Sequence, residues 1–173
     1  MKNEQYIKLR DQVSEMNKIN DEISLINWNR EDGPKFSSVE DMKDFEKKLK
    51  NNEFDYFFDK ENNNSILDTR DVIIESFSHT LEDISFYIYT FKNQSNSNYV
   101  TYMALSNIQD NGNIDKLCGN STSNKELAHN YFENLKLAIT TNSIEDILDN
   151  LIVGAEKTLL SLKNKLSKLT SEN

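Results

Sequence analysis

The sequence holds one proline, four glycines and one cysteine in 173 residues. Turn-rich sandwiches, barrels and collagen-like chains need far more glycine and proline, which disfavours those classes. A lone cysteine, Cys118, has no partner within the chain. Small secreted domains rely on several, so a reducing, cytoplasmic setting is expected. No stretch approaches the ~18 apolar residues of a membrane helix. The first ten residues lack the apolar run of a signal peptide, so no membrane role is expected. Arginine occurs three times, at Arg10, Arg30 and Arg70. Arginine is the preferred bidentate reader of phosphate and guanine, and its scarcity argues against direct nucleic-acid binding. The four glycines lie far apart, so no Walker or dinucleotide loop exists and no cofactor is expected.

Acids are plentiful. Asp and Glu total 29 against 20 Lys and Arg, a formal net charge of -9. Such a field repels nucleic acid and anionic lipid and attracts a basic protein. The apolar residues supply a core, and 173 residues suit a single domain, expected here to be helical over 1–173.

Periodicity predicts an all-α bundle of five to six helices. Tyr6, Leu9, Val13, Met16, Ile19, Ile23 and Ile26 recur at three- and four-residue steps, giving a long first helix over 3–28. Asp32-Gly33-Pro34 ends it. Ser37 to Glu40 is a capping-box pattern that opens a second helix towards Asn51. Ile73, Ile74, Phe77, Leu81, Ile84, Ile88 and Phe91 fall on one stripe and predict a central helix over 66–92. Val72, Phe86 and Tyr89 break that stripe. The alternative is an α+β fold, because Ile84 to Phe91 is rich in β-branched and aromatic residues and 98–105 offers a hairpin partner near 84–105. Residues 113–123 read as irregular. Ser123 to Glu126 is a further capping box, and Ser143 caps a last helix over 144–169. There Ile144, Leu148, Leu151, Ala155, Leu159, Leu162, Leu166 and Leu169 form a heptad stripe.

No catalytic motif stands out. Glu75 with His79, and His129 with Glu133, are four apart and share helix faces if both segments are helical. No zinc-protease or di-iron spacing is present, so they read as ordinary surface pairs and no metal is expected. Cys118 reads as a small buried thiol rather than a nucleophile. Glu40-Asp41-Asp44 and Glu145-Asp146-Asp149 suit helix N-termini, and Glu82-Asp83 suits a polar surface. The chain is therefore expected not to be an enzyme.

The expected site is a partner-binding segment: Glu53, Phe54, Asp55, Tyr56, Phe57, Phe58 and Asp59. Aromatics there supply contact area and acids supply steering. The expected function is an acidic protein-binding module. It would be an inhibitor of the immunity, antitoxin or phage counter-defence type that occludes a partner's basic surface. The alternative is a helical structural or assembly protein forming a homo-oligomer through 144–169.

Overall fold

The computed structural model describes residues 2–50, 58–59, 64–65, 72–93, 96–109 and 111–171. In chain order the elements are α1 (Lys2–Arg30), α2 (Val39–Lys50), β1 (Phe58–Asp59), β2 (Asn64–Ser65), β3 (Val72–Leu81) and β4 (Ile84–Lys92). Then come β5 (Tyr99–Asn107), β6 (Ile114–Thr122), α3 (Lys125–Thr141) and α4 (Ile144–Ser171). The fold is α+β, which overturns the all-α bundle of five to six helices. Two compact units share the chain, one of residues 1–11 and 68–153, the other of 12–67 and 154–173. α1 and α4 each contribute to both.

The first unit is built on a four-stranded antiparallel meander, β3-β4-β5-β6. The expected central helix is instead two strands, β3 and β4, paired from Val72 opposite Lys92 to Leu81 opposite Ile84. Residues 66–71 of that expected helix lie outside the described residues. The physical reason is a shared even step. Ile84 and Ile88 are four apart, which satisfies one face of a helix and one face of a strand alike. Two-residue steps separate the cases. Ile84, Phe86, Ile88 and Thr90 are all buried, at 1% exposure or less, so the period is 2. The turn is Glu82-Asp83, with Glu82 in the left-handed region at φ 53°. β4 then pairs with β5 from Ile84 opposite Asn107 to Lys92 opposite Tyr99, the hairpin held as the alternative. Residues 114–122, expected to be irregular, form β6.

One face of this sheet carries the core. α3 packs across β4, β5 and β6. Ala128, Phe132 and Ile139 are its buried residues. Tyr6 and Leu9 of α1, and Ile144, Ile147 and Leu148 of α4, are buried in the same unit. The Tyr6 hydroxyl donates to the Gly112 carbonyl at 2.5 Å. The buried Thr90 and Thr101 hydroxyls satisfy one another at 2.7 Å across the strands.

In the second unit, Val13, Met16, Ile19 and Ile23 of α1, Met42 of α2, and Ala155 and Leu159 of α4 are buried. Trp28, Phe36 and Phe45 form an aromatic triangle with ring centres 5.2–5.9 Å apart. Lys163 pairs with Glu15 at 3.1 Å, and Arg30 donates to the Leu169 carbonyl at 2.8 Å. β1 and β2 form a two-residue ladder, with Phe58 opposite Ser65. The starts of α2, α3 and α4 use side-chain caps. Ser38 accepts from the Asp41 amide, Asn124 from Glu126 and Leu127, and Ser143 from Asp146. Two of these caps sit one residue later than the capping boxes suggest.

Candidate binding face

An antiparallel sheet can be covered on one face and open on the other. In this sheet the second face carries no charge on three strands, β3, β4 and β5, and the charges beside it, Asp115 and Lys116, come from β6. Its positions are Ser76, Ser78 and Thr80 on β3, Ser85, Tyr87, Tyr89 and Phe91 on β4, and Val100, Tyr102, Ala104 and Ser106 on β5. None of these carries a charge, in a chain that is 28% charged. Tyr87 is 44% exposed. Ser76, Ser78 and Thr80 are exposed, while Tyr89, Phe91 and Tyr102 are half-buried.

The register sets this cluster. Tyr89 sits directly opposite Tyr102, Phe91 follows Tyr89 by one strand step, and such neighbours touch. Ring centres are 6.2 Å apart for Tyr89–Phe91 and Tyr89–Tyr102, and 6.0 Å for Phe91–Tyr102. Lys116 places its amino group 5.7 Å from the Tyr102 ring centre. The Tyr102 ring lies over Gly119 of β6. A Cβ there would come within 2.6 Å of the Tyr102 ring, so glycine makes the seat. β6 is held in that course by the Tyr131 hydroxyl of α3, which donates to the Cys118 carbonyl at 2.6 Å. Cys118 itself adopts φ 56°. Beside the cluster, Ile73, Ser76, Ser78, Tyr87 and Tyr89 line a shallow groove of about 400 Å³.

Burial, then Tyr102 and Asp115, push the Tyr89 hydroxyl above its ordinary range, so it stays a neutral donor and acceptor. The face thus offers ring surface plus hydroxyls, with few rotamers to freeze. Tyrosine and serine serve antibody loops in the same way.

The other candidate residues are held in structural roles. Glu82 and Asp83 sit at the β3–β4 turn, 3.2 and 3.5 Å from the Lys2 amino group. Asp41 and Asp146 lie in first helical turns with capped amides. The Asp149 carboxylate accepts from Gln5 at 2.5 Å. Burial pushes the Cys118 thiol up to about 11. Iodoacetamide at pH 8 should therefore alkylate the folded chain roughly a hundredfold more slowly than a free thiol. Mass spectrometry showing free-thiol rates would contradict this burial. The sign for stability follows. The folded chain holds protons on Cys118, and on Tyr6 and Tyr131 at about 12, that the unfolded chain has released. Stability is full below the unfolded values of 9.0 and 10.0 and falls as pH rises towards 12.

Of the expected binding segment, Glu53, Phe54, Asp55, Tyr56 and Phe57 lie outside the described residues. Phe58 and Asp59 are placed by their backbone in β1. Tyr87, Tyr89 and Tyr102 were not singled out by sequence reasoning. The signal was available in Ser85-Phe86-Tyr87-Ile88-Tyr89, where alternate positions are apolar and hydroxyl-bearing. Among the described residues no helix is long and apolar enough to cross a membrane. No protein-family description, curated protein or solved structure matches the chain.

Proposed function

We propose that the protein is a non-enzymatic protein-binding module and that the uncharged aromatic face of the sheet is its contact surface. The observation that carries this reading is the absence of charge across eleven face positions of β3, β4 and β5 in so charged a chain, with Asp115 and Lys116 of β6 at the margin. Interface centres are depleted in charge and enriched in aromatics. The net charge of -9 supports a partner with basic surroundings, through faster encounter rather than tighter contact. Occlusion of such a partner, as an inhibitor does, is the simplest use of a face without catalytic groups. A reducing cytoplasmic setting fits the single cysteine.

The test is affinity capture followed by a Kd with the purified partner. Tyr87→Ala combined with Ser78→Glu should weaken binding at least tenfold, since aromatic hot spots contribute on the order of 2 kcal/mol. Both positions are exposed, so the melting temperature should hold within about 2 °C. Unchanged affinity in the double variant would remove the reading.

A second reading, assembly into a homo-oligomer through α4, has its own observation. In the second unit Leu160 is 62% exposed, and Leu162, Leu166 and Leu169 are only half-buried. Much of the expected seam is already used inside the chain, because Ile144, Leu148, Ala155 and Leu159 are buried. The C-terminal half therefore carries any self-contact. Leu160→Asp is the informative variant, because Leu159 at 7% exposure would report unfolding instead. Light scattering showing a stable oligomer that Leu160→Asp dissociates would favour assembly, and a monomer at all concentrations would end it.

A further inference from the structure

On the helix-covered side of the same sheet, three ligand-bearing side chains converge. They are Glu75 of β3 and His129 and Glu133 of α3, whose ligand atoms all lie within 4.8 Å of one another. His129 Nδ1 is 2.6 Å from Glu75 Oε1. We propose that Glu75, His129 and Glu133 form a site for a divalent transition-metal ion of the zinc class.

Two independent features of the fold build the cluster. His129 and Glu133 are four apart on α3, so they share one helix face. α3 is firmly placed, capped by Asn124 and packed on the sheet through Ala128 and Phe132. Glu75 arrives by a β-bulge. Ile73 pairs with Phe91 but Glu75 pairs with Thr90, so the shift puts Glu75 rather than Ile74 opposite that buried threonine. Bulges of this kind re-aim a side chain. Without the bulge an isoleucine would occupy the register position beside α3, and the helix would face one carboxylate fewer. His79 lies further along β3 and stacks on Phe77 at 6.3 Å, outside the cluster.

The chemistry fits. Zinc takes imidazole nitrogen and carboxylate oxygen at about 2.0–2.2 Å, which sets tetrahedral ligands about 3.4 Å apart. To reach that spacing the His129–Glu75 pair opens from 2.6 Å while the widest separation closes by about 1.4 Å at most. His129 is 52% and Glu75 26% exposed at the side chain, so rotation is open to them. Two carboxylates balance the ion's charge, and water completes the fourth position. On binding, the imidazole donates its Nδ1 lone pair. The ion takes the place of the proton shared between Nδ1 and Glu75, and the bound neutral imidazole carries its one hydrogen on Nε2. The bound ion would tie the edge strand β3 to α3.

The experiment uses the tag-free, metal-stripped full chain titrated with zinc chloride by calorimetry. Wild type should bind one equivalent. His79→Ala should bind with the same affinity, and His129→Ala and Glu75→Gln should each bind at least tenfold more weakly. At a hundredfold excess over Kd, zinc should raise the melting temperature by roughly 5–10 °C in wild type and His79→Ala, but not in His129→Ala. Circular dichroism of each metal-free variant reports its fold, and Glu133→Gln replaces any variant that unfolds. Undetectable binding, equal affinity in His129→Ala, or loss of binding with His79 would overturn the proposal.

Discussion

Phe86→Ala should be the most damaging single truncation in the sheet unit. The side chain is 0% exposed at the centre of β4, so its removal leaves a cavity under α3. Large-to-alanine changes at aromatic core sites cost about 3–5 kcal/mol. For a chain of this size that lowers the melting temperature by roughly 10 °C or more. The experiment also separates the two readings of residues 72–92. On the helical stripe Phe86 falls off the apolar face, and truncating a surface residue changes stability by about 0.5 kcal/mol or less. On the strand it is core. A thermal melt of Phe86→Ala that overlays wild type would mean that β4 does not pack as described.

Met42→Ala should do comparable harm in the helical unit. Met42 of α2 is 1% exposed, and its truncation costs about 2–5 kcal/mol. The chain holds a reporter at the right place. Its one tryptophan, Trp28, packs edge-on against Phe36 and Phe45, and Phe45 lies one helical turn after Met42. The tryptophan emission should redden at a temperature roughly 5–10 °C below that of wild type. An unshifted fluorescence transition would show that Met42 does not hold α2 in place.

The sequence reading separates by element, for reasons of period. α1 and α4 lie close to the expected 3–28 and 144–169, because three- and four-step stripes over about six and seven turns admit no strand reading. The helix expected over 72–92 fails because Phe77 to Leu81 and Ile84 to Ile88 are four-residue steps joined by a three-residue step across the two-residue turn, which together mimic a helical stripe. A four-residue step is even, so it fits a strand face as well as a helix face. The residues that discriminate, Phe86 and Thr90, are fewer and were outweighed. The candidate face is illegible in the sequence for the same cause, since a face exists only once the two-residue period is assigned. Glu75 was visible as half of a pair with His79, yet its partner across the fold is His129. That meeting depends on a bulge, and no spacing within β3 announces one.

The one-sided sheet also shapes how this chain can change. Ser76, Ser78 and Tyr87 are exposed, whereas Phe86 and Met103 are core residues at 1% exposure or less. Along these strands the exposed hydroxyl-bearing positions and the core positions therefore largely alternate, with Val100 a buried exception on the tyrosine side. A lineage, or a randomised library, can vary Ser76, Ser78 and Tyr87 and so retune the proposed contact surface while the core residues stay unchanged.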